Sequence, residues 1–284
     1  MRKKNFVINL LGNNNGQKKK DVKFGYTFFL NSIINFRNSN KFNTKINDFR
    51  NLNINNPYYE SILLTNNDTN FKNYSQLSLG GDHSIGLGTV ISSKNNYKNL
   101  KVIWIDAHAD INTRLTSFSG NFHGMPVSCL LGINHKKIIN PSDFCYIGLR
   151  SIDCKENYFI KNLKKKGLLK YDSTFINKKG INYVLNDIKK KWKLPKENYK
   201  FHLSFDIDAL DPKFAPCTGV AVNNGLTPND VKKIIKFGNN NSIDNHCNLD
   251  ICEINPSLSD INGLLSTHKY VNNILNYYLK NLNS

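Results

Sequence analysis

Short apolar runs alternate along the chain with longer segments whose apolar positions recur at helical spacing. Such alternation is the mark of an α/β domain with a mainly parallel sheet. The pattern predicts strands over 6–11, 76–79, 102–106, 144–147, 168–171, 201–205 and 249–253. Helices are predicted over 25–36, 85–93, 123–131, 156–166, 181–192, 228–237 and 267–282. Thr227 before Pro228 sharpens one start, pairing a good N-cap with proline at the first helical position. The Asn-rich stretches 13–15, 38–55 and 237–245 read as loops. None is long or distinct enough to mark a boundary, and no internal repeat is visible. The economical architecture is one domain over 1–284, a three-layer α/β/α fold around a mainly parallel sheet.

A chain of 284 residues, 39% hydrophobic and 11% aromatic, has the composition of a soluble globular protein, and at this size roughly three quarters of the unfolded surface is buried. No apolar run approaches the ~20 residues needed to span a bilayer. The basic start Arg2-Lys3-Lys4 precedes an apolar run too short for a signal peptide and reads as leading into a first strand. Six cysteines, Cys129, Cys145, Cys154, Cys217, Cys247 and Cys252, form no paired spacing. Scattered thiols of this kind fit reduced cysteines in a cytoplasmic setting, without a metal role. The net charge of +18 raises nucleic acid as a partner. The lysine clusters at 18–20, 164–166, 178–179 and 189–191 lack any accompanying nucleic-acid motif, so they read as a solvated surface. No specific nucleic-acid or membrane partner is expected.

Chemistry concentrates at strand ends. Asp106-Ala107-His108-Ala109-Asp110-Ile111-Asn112 follows the apolar run 102–105, and continued extension would place Asp106, His108 and Asp110 on one face. Oxygen and nitrogen donors grouped in this way suit a divalent cation. Gly80-Gly81-Asp82-His83-Ser84 follows the strand at 76–79. Asp206 and Asp208, again two apart, follow 201–205, and Glu253 with Asn255-Pro256 closes 249–253. Ligands of open α/β sheets bind beyond the carboxyl ends of strands, and all of these clusters lie there.

The motifs GGDHS, DAHADIN, SGNFHG and SFDIDALDP, in this order, resemble the ureohydrolase family, with arginase as the member most similar. The resemblance runs from about Gly80 to Pro256; before it, Gly16-Gln17 and 22–25 match the family's opening loop only weakly. It implies two Mn²⁺ ions per subunit. His83, Asp106, Asp110 and Asp206 would hold one; Asp106, His108, Asp206 and Asp208 would hold the other. A closely spaced metal pair needs bridging carboxylates to offset its repulsion, and four carboxylates with two imidazoles suit manganese better than zinc.

The implied reaction is hydrolysis of the guanidinium of L-arginine to L-ornithine and urea. Asp110 would pass a proton to the departing amine, His123 would shuttle protons to solvent, and Glu253 would grip the guanidinium by paired hydrogen bonds. Asn112, Ser117 and Ser119 match positions that recognise the α-carboxylate, and Asp153 matches an acid contacting the α-amino group. Asp82 and Asp211 read as cap and turn residues, and His135, His202, His246 and His268 lack motif context. Two departures stand out. Ser151 replaces a further aspartate, and Val220 replaces a threonine whose hydroxyl lies beside the guanidinium pocket. Agmatinase-like and formiminoglutamase-like hydrolysis, or a catalytically weak relative acting as a binding protein, therefore stay open. The family also implies a homo-oligomer, a trimer.

Overall fold

The computed structural model describes residues 3–39, 41–51, 56, 58, 73–194 and 199–282. Eight parallel strands form one sheet in the order β2-β1-β3-β8-β7-β4-β5-β6. They are β1 (Asn5–Leu11), β2 (Asn43–Phe49), β3 (Tyr74–Leu79), β4 (Leu100–Ile105), β5 (Phe144–Leu149), β6 (Leu169–Asp172), β7 (Lys200–Asp206) and β8 (Asn248–Cys252). Among the described residues the α-helices are α1 (Leu30–Asn38), α2 (Ile85–Asn96), α3 (Pro126–Leu130), α4 (Cys154–Lys164), α5 (Ser173–Lys179), α6 (Ile181–Lys191), α7 (Pro228–Asn241) and α8 (Ile261–Asn281).

Continuous apolar runs make sense because the central strands are covered on both faces. Along β4 and β5, Val102, Trp104, Phe144 and Tyr146 enter one core with Leu87 and Val90 of α2 and Val127 of α3. Their neighbours Ile103, Ile105, Cys145 and Ile147 enter the opposite core with residues of α6, α7 and α8. Alternate side chains of one strand thus serve two layers, which is the three-layer α/β/α architecture the sequence implies.

Several boundaries differ for identifiable reasons. The stretch 38–55 contains β2, an edge strand in register with β1, while residues 40 and 52–55 lie outside the described residues. Its face is amide-rich: Asn43 Nδ2 donates to Asn5 Oδ1 at 3.0 Å, and Asn47 Nδ2 to Asn9 Oδ1 at 3.0 Å. Side-chain amides bridging two strands leave no apolar alternation to read. In 237–245, α7 continues to Asn241, where Asn239 is buried and its Oδ1 accepts from Cys247 N. The helix expected over 123–131 splits into a 3-10 turn, Phe122–Gly124, and α3, whose Pro126 lacks an N–H. The segment before α1 forms 3-10 turns, Lys20–Phe29. Helix α8 starts at Ile261 rather than 267, because Asp260 accepts from Gly263 N and caps it.

Candidate active site

Four adjacent strands, β3, β8, β7 and β4, end on one side of the sheet. After β3 the chain skips two strand positions, to be filled later by β7 and β8. That reversal is the kind of switch point at which α/β sheets bind ligands.

The two acid clusters converge through turns. Continued strand alternation, expected from the sequence, is absent. Strand β4 stops at Ile105, and Asp110 has a left-handed backbone, φ 50°. Asp106 Oδ1 accepts from His108 N at 2.7 Å, folding the chain back on itself. Asp206 Oδ1 likewise accepts from Asp208 N at 2.8 Å, starting the 3-10 turn Ile207–Ala209. Glu253 also has a positive φ, 65°. Left-handed backbone at two non-glycine acids is strain held in place by the surroundings. Gly80 and Gly81 precede His83 with φ of 92° and 78°; a Cβ on Gly80 would lie 2.8 Å from Leu11 O, so only glycine fits there.

His83 Nδ1 faces three carboxylate oxygens, from Asp106 at 3.0 Å, Asp110 at 3.1 Å and Asp206 at 3.4 Å. His108 Nδ1 faces Asp208 Oδ2 at 2.9 Å and Asp106 Oδ1 at 3.6 Å. His83, Asp106 and Asp110 form one compact group of potential metal donors, and Asp106, His108 and Asp208 another, with Asp106 common to both. All six expected ligands are thereby brought together. Burial drives Asp110 up to about 7, reinforced by Asp106. Burial and the facing carboxylates also push Asp206 and Asp208 above their ordinary value. For His83 burial works downward, yet Cys252 and the three carboxylates carry it well above normal.

The donor set fits a pair of divalent cations. Four buried aspartates crowd around two imidazoles, and Asp110 Oδ2 lies near His83 without hydrogen-bond geometry. A cation between such groups offsets both penalties. Cys252 departs from the expectation of metal-silent thiols: its thiol joins His83 and Asp206 in a third donor group. Sequence spacing gave no hint of this, since the three residues are distant along the chain.

Above the acids lies a cavity of about 480 Å³ whose lining includes Asn112, Ser117, Ser119, His123, Ser151, Asp153 and Glu253. Glu253 is held from three sides. Oε1 accepts from His83 N at 2.8 Å and sits 3.0 Å from His123 Nδ1, and Oε2 accepts from Gln17 Nε2 at 2.6 Å. The paired guanidinium contact expected of Glu253 thus requires one of these donors to leave, because a carboxylate offers about four lone-pair sites. Burial works to depress His123, but Glu253 raises it to about 9. Asn112 Nδ2 donates to Asp153 Oδ2 at 2.8 Å, and Asp153 Oδ1 caps α4 by accepting from Lys155 N and Glu156 N. Ser117 Oγ and Ser119 Oγ accept from Gly120 N and Asn121 N.

Asp82 lies under the opening segment, accepting from Gly16 N and Ser84 N. Asp211 accepts from Asn224 N and Gly225 N. His202 is buried between Ser93 and Asp250, at 2.8 Å and 2.9 Å. Residues given no site role from the sequence also belong to the site. Gln17 holds Glu253. Glu156, on the cavity wall, is raised to about 7 by burial. The spacing Asp153-x-x-Glu156 was visible, but it signals a capping box, which it also forms.

A sequence profile described as "Arginase family" matches residues 13–275. The chain belongs to the arginase family. Human Arginase-1 is 40% identical over 198 residues, covering 64% of this chain and 58% of that protein. The match thus spans less than two thirds of the curated relative's length. The crystal structure of Bacillus subtilis arginase superposes with a TM-score of 0.81 at 28% identity, covering 98% of each chain. Entamoeba histolytica arginase in complex with L-ornithine gives 0.79 at 26% identity, covering 98% of this chain and 99% of that one.

Proposed function

We propose that the protein is a binuclear manganese hydrolase that cleaves the guanidinium group of L-arginine to L-ornithine and urea. The observation that carries this reading is the convergence of His83, Asp106, His108, Asp110, Asp206 and Asp208 beneath a cavity whose wall includes Glu253. The first group and Asp206 would hold one ion, and Asp106, His108, Asp206 and Asp208 the other. Two such ions, when bound, supply a hydroxide nucleophile at neutral pH.

The remaining work falls to side chains. Glu253 Oε2 accepts a guanidinium N–H, fixing the central carbon over the acids. Asp110 Oδ2 makes no hydrogen bond, so it is free to take a proton and hand it to the departing amine. His123, only part-buried and linked to Glu253, exchanges protons between cavity and solvent. Asn112, Ser117 and Ser119 lie together on the wall as partners for an α-carboxylate, with Asp153 beside Asn112 for the α-amino group. This reading carries with it a cytoplasmic trimer.

Agmatine and formiminoglutamate hydrolysis form the second reading, favoured by Ser151 and by the apolar side chain of Val220 on the cavity wall. Metal analysis with product assays, for urea from arginine or agmatine and for formamide from formiminoglutamate, tests both. Two manganese ions per chain with urea from arginine is the expected result; two ions without urea would sink the arginase reading while sparing the metal centre.

A further inference from the structure

Among the described residues, buried side-chain atoms without a hydrogen-bond partner include three in residues lining the cavity: His108 Nε2, Asp110 Oδ2 and Thr218 Oγ1. The first two belong to the proposed metal ligands. Thr218 does not, and nothing so far accounts for it. Its side chain is buried, with the residue 6% exposed. A buried hydroxyl left unpaired destabilises the free protein, and such groups persist where something else supplies the partner.

The surroundings say what that partner is. Gly219 follows Thr218, and a Cβ there would stand 3.3 Å from Gln17 Oε1 and 3.9 Å from Glu253 Oε2. The turn bearing Thr218 is therefore packed against the carboxylate that binds the guanidino group. Val220, two residues on, is 48% exposed and lines the same cavity but offers only methyl groups. On this wall Thr218 thus carries a buried hydroxyl with no hydrogen-bond partner in the protein.

We propose that Thr218 is a specificity-determining residue whose Oγ1 accepts a hydrogen bond from an N–H of the guanidino group held at Glu253. This rests on the guanidino-hydrolase reading above and deepens it. A guanidinium has N–H donors on all three nitrogens and no acceptor. A formimino group presents C–H where a guanidinium has one of its NH₂ groups. An acceptor at Thr218 rewards the first and is left unpaired by the second, the asymmetry by which a hydrogen-bonding site rejects an analogue lacking the donor.

The test compares wild type, Thr218→Val and Thr218→Ser as full-length, manganese-loaded proteins. Thr218→Val is nearly isosteric and removes only the hydroxyl. It should lower kcat/KM for arginine by about tenfold or more, as expected for a lost hydrogen bond to a charged group. It should also weaken arginine binding to the chelated, non-hydrolysing protein by calorimetry and shrink the preference of the loaded protein for arginine over formiminoglutamate. Metal content should stay at the wild-type value, and the thermal midpoint should hold or rise, because an unpaired hydroxyl is gone. Thr218→Ser should keep most of the affinity. Unchanged arginine binding and kcat/KM in Thr218→Val would overturn the proposal, as would a loss explained by lost metal. Wild type that neither hydrolyses nor binds arginine or agmatine would instead remove the underlying functional reading.

Discussion

The imidazole of His83 and the indole of Trp104 lie stacked, centroids 4.0 Å apart and planes 17° from parallel. The same indole donates from Nε1 to Asp106 Oδ2 at 3.0 Å. One buried tryptophan thus orients an imidazole and a carboxylate that belong to the same donor group. A Cβ on Gly86 would approach the Trp104 ring to 2.5 Å, so the indole is also clamped from α2. Partners that orient metal ligands typically contribute about 10- to 100-fold in affinity. Trp104→Phe keeps the stack but loses the donor. Manganese affinity should fall by that order, read by calorimetric titration of the folded variant; equal affinity would mean that the indole only fills space.

Removing metal should make stability fall with rising pH. Asp110 is raised to about 7, and Asp206 and Asp208 are raised as well. A carboxylate with a raised native pKa stabilises the fold below its unfolded value, near 3.8. That contribution disappears as pH climbs through the native value. His83 and His108, also raised, act in the same direction, with stability lost as pH rises above 6.5. Asp106, which is lowered, opposes them. The chelated protein should therefore lose thermal midpoint between about pH 5 and pH 8. Manganese should reverse the loss most strongly at the upper end. A chelated protein whose midpoint rises over this interval would contradict the crowded-acid picture.

The sheet and the residues of the donor cluster were legible because each had a repeating signature. Residues 102–105 form a continuous apolar run because Val102 and Trp104 feed one core while Ile103 and Ile105 feed the other. Asp106, His108 and Asp206 were legible as residues but not as geometry, since turns replace the expected alternation. The edge strand β2 was hidden because Asn43 and Asn47 pair with Asn5 and Asn9 through amides, which composition reads as loop. The role of Gln17, which the sequence offered only as a weak match to an opening loop, was hidden for another reason. Gln17 meets Glu253 across 236 residues of sequence, and no local pattern encodes a contact of that span.

The His123–Glu253 pair offers a titration that one substitution should reset. Glu253 raises His123 from 6.5 to about 9, while His123 helps hold Glu253 below its ordinary value. Glu253→Gln removes the charge but keeps the shape. In metal-free protein the His123 ring should then titrate well below its wild-type value, as followed by NMR. The raised histidine contributes stability that is full below about 6.5 and lost as pH rises through about 9, while the lowered Glu253 contributes stability that is full above 4.5 and lost as pH falls below it. The same variant, loaded with manganese, should lose about 10- to 100-fold in kcat/KM for arginine, the cost of a hydrogen bond to a charged partner. A His123 titration unmoved by Glu253→Gln would show that the contact at 3.0 Å is electrostatically idle.

Asp153 combines two duties that substitution can separate. Oδ1 caps α4 and Oδ2 accepts from Asn112 Nδ2, so the helix start and the substrate wall are joined through one carboxylate. Asp153→Ala removes both and should lower stability by about 1 kcal/mol, the usual cost of a lost N-cap. Asn is as good a cap as Asp, so Asp153→Asn should keep the helix start. Its amide nitrogen would face that of Asn112, however, forcing the Asn112 side chain to turn. Asn112 is the proposed partner of the α-carboxylate, which agmatine lacks. Asp153→Asn should therefore raise KM for arginine several-fold and KM for agmatine, which keeps the amine but lacks the carboxylate, by less, while changing the thermal midpoint little. An unchanged KM for both substrates, or a loss of stability equal to that of Asp153→Ala, would confine Asp153 to its role in the helix cap.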